Sequence, residues 1–143
     1  MARVVRTQSI GTQRTRLSKS IVLSIREIHK KQKFDQEVKE LVAYMIIAMI
    51  AVDETVEESI APWEKRGYWV KADRFRMDWS WAKNYSSKLR KELNDNNWDE
   101  IIPVLIKIGM KLNKIEVSEK HRMGKPWIGA WDEYILRELN IEE

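Results

Sequence analysis

Between Lys65 and Trp81 the chain reads Lys-Arg-Gly-Tyr-Trp-Val-Lys-Ala-Asp-Arg-Phe-Arg-Met-Asp-Trp-Ser-Trp, with cations interleaved among aromatic rings. That mixture suits a polyanion carrying flat bases: Arg and Lys grip phosphates while exposed rings stack on bases, each stack worth about 1–3 kcal/mol. Lys65, Arg66, Trp69, Lys71, Arg74, Arg76, Trp81 and Lys83 are therefore candidate contacts. Phe75 and Trp79 share helical spacing with Ala72 and Ala82, so they are expected to pack inward. Asp73 and Asp78 are expected to pair with Arg74 or Arg76 on their own helix. The stretch His121-Arg122-Met123-Gly124-Lys125-Pro126-Trp127 repeats the theme on a loop and adds His121, Arg122 and Lys125. Arg3, Arg6, Arg14, Arg16 and Lys19 accumulate before Glu27, the first acidic residue. Such cation rows release counterions on meeting a phosphate backbone and bind it with little sequence choice.

Other chemistries find few residues to work with. There is no cysteine, which removes thiol nucleophiles, and only His29 and His121 could serve as imidazole bases. No Gly-x-Ser-x-Gly turn, phosphate-cradling glycine loop, HExxH or dinucleotide fingerprint occurs. A di-iron bundle needs Glu three residues before each ligand His, where this chain has Arg26 and Ser118. No cofactor or metal is expected.

The elements that must position these groups are helices. With 5 Gly and 3 Pro in 143 residues, the turn punctuation of a many-stranded β fold is missing. Residues 1–11 show no apolar period and read as a flexible basic arm. A first helix is expected after Thr12, with Leu17, Ile21, Ile25 and Ile28 as its stripe. Asp35 is placed to cap a second helix whose stripe, Val38 to Val56, is widened by Leu41, Ile46 and Ile50 until more than one side must be covered. Pro62 and Gly67 bracket the next turn, and a third helix runs from about Trp69 to Leu93. Its stripe is Ala72, Phe75, Trp79, Ala82, Ser86, Leu89 and Leu93, leaving Trp81 and Tyr85 outside. Asn97 and Glu100 fit a capping box opening a fourth helix, which carries Pro103 and the stripe Ile101, Leu105, Ile108, Leu112 and Ile115. After a polar loop, Pro126 is expected in the first turn of a last helix that packs through Trp127, Trp131 and Ile135. The expectation is all-α: an antiparallel four-helix bundle with a basic arm and a short fifth helix, residues 12–143 forming one domain.

Charge is segregated along this frame. Residues 1–34 carry net +8, 35–64 net −7, 65–91 net +7 and 92–143 net −4. Basic first and third helices would thus alternate with acidic second and fourth ones, which either steers topology or presents cationic faces to a partner. The apolar stretch Leu41 to Val52 reaches only about 18 Å as a helix, short of a bilayer core. No hydrophobic run follows the basic start, so a cytoplasmic location without membrane contact is expected.

Glu54-x-x-Glu57 and Glu92-x-x-Asp95 resemble the paired acidic motifs of all-helical nucleotide pyrophosphohydrolases, in which magnesium sits between two helices. In an antiparallel pair the two motifs would lie at opposite ends, roughly 35 Å apart at 1.5 Å per residue, so only Asp73 could join Glu54, Glu57 and Glu58 at a metal. In helix order and charge the chain is also similar to four-helix-bundle accessory proteins of diversity-generating retroelements and bundle proteins encoded by ribosomal-RNA intervening sequences. The local stretches that carry this are His29 to Phe34 and Tyr68 to Trp81, while the tail with Trp127 and Trp131 departs from it. That resemblance implies a homo-oligomeric basic ring that binds nucleic acid and a polymerase partner. The functional expectation is a non-enzymatic bundle contacting RNA or DNA phosphates, with a protein-assembly module built on exposed Trp and Arg as the alternative. A magnesium-dependent nucleotide pyrophosphohydrolase is a third reading.

Overall fold

The computed structural model describes residues 9–142 and is all-helical: α1 is Ile10–His29, α2 Gln36–Lys65, α3 Trp69–Asn94, α4 Trp98–Lys111 and α5 Ala130–Glu142. Among the described residues no helix is long and apolar enough to cross a membrane. Most of residues 1–11, the expected arm, lies outside the described residues, Arg3 and Arg6 included.

Each helix begins and ends for a local reason. The α1 helix starts before Thr12, because Ser9 accepts the Thr12 N–H at 3.1 Å and draws Ile10 and Gly11 into the first turn. Asp35 caps α2 as expected, accepting the Val38 N–H at 2.9 Å. That bond, reinforced by Lys31, holds the Asp35 carboxyl below its ordinary pKa. Pro62 does not end α2; it sits in its last turn, and the stop comes at Gly67, whose φ of 80° suits a residue without a β-carbon. There the Gly67 N–H reaches the Glu64 carbonyl and the Tyr68 N–H the Trp63 carbonyl. Asn96, at φ 57°, closes α3 the same way, with N–H bonds from Asn96 to Leu93 and from Asn97 to Glu92. The Asn97–Glu100 capping box does not form; only backbone bonds enter α4. The last helix opens at Ala130, not Pro126, because Gly129 at φ 84° turns the chain first.

The α2 helix is the hub. It packs against α1, α3 and α5, whereas α4 rests on α3 and α1. Val38, Leu41, Val42, Met45, Ile46, Met49 and Val52 are all buried, so the widened stripe is real. In α3 the buried arc differs from the expected one. Trp81 is only 7% exposed and Glu92 is buried, while Phe75 and Trp79 stay half-buried. Packing against both α2 and α4 broadens the arc beyond a single stripe. At the far end Trp127 and Tyr134 are buried, but Ile135 points largely to solvent.

The fifth helix is fastened to α2 by one ion-to-dipole contact. Glu40 accepts the Trp131 N–H at 2.8 Å, satisfying a first-turn donor that has no partner within its own helix. Lys39 lies beside it, 5.8 Å from the Phe34 ring centroid and 5.7 Å from that of Trp131. Glu40→Ala is expected to cost about 1 kcal/mol and to speed amide exchange in α5 ahead of the other helices, as hydrogen-exchange mass spectrometry would read it.

Candidate functional site

Side chains recurring three or four residues apart on α1 place Thr12, Thr15, Arg16 and Lys19 along one flank. Facing them is the connection between α4 and α5. Arg26 holds that connection down, donating to the Val117 carbonyl at 2.8 Å and the Ser118 carbonyl at 3.4 Å. Within it the Lys120 N–H donates to Ser118 Oγ and the Met123 N–H to His121 Nδ1, both at 3.2 Å. With Nδ1 accepting, the neutral His121 ring carries its proton on Nε2 and keeps a donor. Gly124, at φ 65°, then reverses the chain ahead of Lys125 and Pro126.

Two adjoining clefts result, of about 400 and 430 Å³, sharing Arg16, Arg122 and Met123. The first adds Lys19, His121 and the hydroxyls of Thr12, Thr15 and Ser118; the second adds Gln13, Ser20 and Tyr44. No carboxylate lines either one. Burial raises the Tyr44 pKa even though its hydroxyl donates to Ser20 at 2.8 Å, so this wall stays neutral. The lining thus combines cations with neutral donors and contains no carboxylate, a composition whose local field favours negative charge.

No family model, curated protein or solved structure matches the chain.

The sequence-derived candidates are therefore divided by the fold. Arg16, Lys19, His121 and Arg122 converge on the clefts, and Lys125 is exposed next to Pro126, a cleft residue. Lys65, Arg66, Trp69, Lys71, Arg74 and Lys83 are exposed but lie elsewhere; Lys71 is folded over the Trp63 ring at 4.3 Å. Three candidates are corrected. Arg14 turns inward, donating to Ser59 Oγ at 3.0 Å and the Thr55 carbonyl at 3.2 Å, with its guanidinium over Phe75 and Trp79. Burial there holds its pKa below the usual value. Arg76 is taken up by Glu57 at 3.1 Å, Glu64 at 3.4 Å and Asp73 at 3.5 Å. Trp81 is in the core, 5.8 Å from the Trp79 ring, and cannot stack on a base.

The same Arg76 answers the question of the acidic cluster. Its hydrogen bond holds the Glu57 carboxyl below its ordinary pKa, against a smaller desolvation effect. Among the described residues no group of three or more His, Asp or Glu side chains is placed to hold a metal ion, so Glu54, Glu57, Glu58 and Asp73 do not assemble the magnesium site of the third reading. Sequence reasoning missed Thr12, Thr15, Ser118 and Tyr44, which carry no signal of their own and matter only once the α4–α5 connection lies against α1.

Proposed function

We propose that the protein is a non-enzymatic nucleic-acid-binding module that takes phosphates into the clefts between α1 and the α4–α5 connection. The observation that carries this is the meeting of Arg16, Lys19, His121 and Arg122 across about 100 residues of sequence, with no carboxylate in the lining. Arg can hold a phosphate bidentately, Lys supplies point charge, and the Thr and Ser hydroxyls complete the oxygen contacts. The exposed cations of α3 add positive charge elsewhere on the surface, and Arg3 and Arg6 add two more in the sequence. Nothing in the clefts selects a base, so RNA and DNA are bound through their shared backbone. The helix neighbours, with α2 against α1, α3 and α5, support an antiparallel bundle as the frame. Such a module suits an accessory subunit of a ribonucleoprotein or of a reverse transcriptase, a role supported by the resemblance in helix order and charge.

The test is filter retention of labelled single-stranded RNA and DNA over a salt series. With the four cations Arg16, Lys19, Arg122 and Lys125 engaged, log K is expected to fall against log salt with a slope of about −3, similar for unrelated sequences. Retention indifferent to salt, or none at low salt, would overturn the proposal.

A further inference from the structure

The two clefts beside α1 differ in the protons they have left to give. In the 400 Å³ cleft the Thr12 hydroxyl accepts from Ser9 Oγ at 2.8 Å and the Ser118 hydroxyl from the Lys120 N–H at 3.2 Å, so each keeps its own proton for a ligand. Lys19 and the Nε2–H of neutral His121 are further donors on that side. In the 430 Å³ cleft the hydroxyl protons are spent. Tyr44 donates to Ser20 Oγ at 2.8 Å, and Ser20 donates in turn to the Leu17 carbonyl at 2.6 Å.

A phosphate oxygen only accepts, so the first cleft serves it while the second turns hydroxyl lone pairs and the apolar walls of Leu17, Met123 and Pro126 toward it. Besides the shared guanidinium groups, the side-chain donor left in the second cleft is the Gln13 amide, which also accepts. Apolar walls with a few polar groups suit a flat heterocycle, whose faces are weakly polar and whose edge carries both donors and acceptors. The clefts share Arg16, Arg122 and Met123, so one ligand can occupy both. A nucleotide has this division, anionic at one end and flat at the other.

We infer, resting on the phosphate reading above, that the cleft walled by Leu17, Tyr44, Met123 and Pro126 takes one unpaired base of a single-stranded nucleic acid whose phosphate lies in the adjoining cleft. Because the Gln13 amide donates as readily as it accepts, every base finds a partner and none is preferred. What is selected is a strand without a complement, whose bases are free to be splayed out. Arg16 and Arg122 stand at the boundary, where a guanidinium can meet the phosphate with its edge and the base with its face.

The experiment is a fluorescence-anisotropy titration of the full chain with three labelled probes of one length: a single strand, the same strand with abasic sugars throughout, and the duplex. The two single strands carry the same phosphates, so their difference reads the bases alone. The intact strand is expected to bind about tenfold tighter than the abasic one, within the range for one base stacked on protein. It should also bind tighter than the duplex, although a site reading charge alone would prefer the denser phosphates of the duplex. Gln13→Trp, whose indole would fill the base cleft from α1, should bring the intact strand down to the abasic level and leave abasic binding unchanged. Equal affinity of wild type for intact and abasic strands would overturn the base cleft and leave the phosphate reading standing, whereas no binding of any probe at low salt would overturn both. A duplex bound as tightly as the intact strand would overturn the selection of unpaired bases. A Gln13→Trp protein that keeps the preference, or weakens both single strands alike, would overturn the placement of the base in this cleft. Should that variant fail to fold, Gln13→Ala serves in its place: it should lower the preference for the intact strand about threefold by losing the amide contact, and an undiminished preference would overturn the same placement.

Discussion

Arg16→Ala combined with Arg122→Ala is expected to abolish most nucleic-acid retention, lowering affinity about 100-fold at low salt and flattening the salt slope by roughly 2. Both guanidinium groups line both clefts, so the pair removes the shared centre of the site. Arg16 and Arg122 are both exposed, and among the described residues neither forms an ion pair, so the double variant should keep its helicity and melting temperature. Arg76→Ala supplies the contrast. Its charge is already spent on Glu57, Glu64 and Asp73, so retention should stay within about twofold of wild type. What it should change is behaviour in acid. The Glu57 pKa is held below its ordinary value, chiefly by the Arg76 hydrogen bond. Its contribution to stability is therefore complete above the ordinary carboxylate pKa and is lost as pH falls through the lowered value. Arg76→Ala should erase that part of the acid-side loss, leaving a slightly less stable protein near neutrality whose stability falls less on acidification. A large binding defect in Arg76→Ala would return helix three to the site and displace the clefts.

Why sequence alone put Arg76 and Trp81 on the wrong side of the account is a matter of partners. Helix starts and stops were legible where the cause is local: Asp35 caps α2, and the Asn94–Asn97 cluster contains the left-handed Asn96 that ends α3. The broad burial of α2 was legible because it needs only the run of apolar residues from Val38 to Val56. Pro62 misled because a proline in the last turn of a helix and one just beyond it look alike in sequence. Trp79 and Trp81 are two residues apart, and which of them is enclosed depends on how many neighbours α3 has. Arg76 meets Glu57 and Glu64 across the α2–α3 turn, a pairing no spacing rule on a single helix can give. The clefts lay further still from local reasoning. Arg16 and Arg122 each looked like one cation among 26, and it is the Arg26 clamp on Val117 and Ser118, together with the packing of Val117 and Met123 on the core, that lays the α4–α5 connection along α1.

The largest loss of stability among the charged positions is expected at Arg14. Its guanidinium donates into α2 at Ser59 and the Thr55 carbonyl and lies 4.8 Å from the Phe75 and 5.5 Å from the Trp79 ring centroids of α3. One side chain thus joins three helices. Hydrogen bonds from a charged donor contribute about 1.5–3 kcal/mol, and a half-buried cation over an aromatic face about another 0.5–1. Desolvation of the cation offsets part of this, as the lowered Arg14 pKa records. Arg14→Ala should therefore cost about 2–3 kcal/mol, seen as a lower urea midpoint with an unchanged slope. Arg14→Lys should recover little, since an ammonium group cannot both reach Ser59 and lie flat between the two rings. Nucleic-acid affinity of the folded Arg14→Ala protein should be unaltered at low temperature, because Arg14 lines neither of the two clefts between α1 and the α4–α5 connection. An Arg14→Ala variant as stable as wild type would mean that α1 is held to α2 and α3 by its apolar stripe alone. A variant equally stable but weaker in binding would instead put Arg14 back among the phosphate contacts, with its guanidinium turned outward.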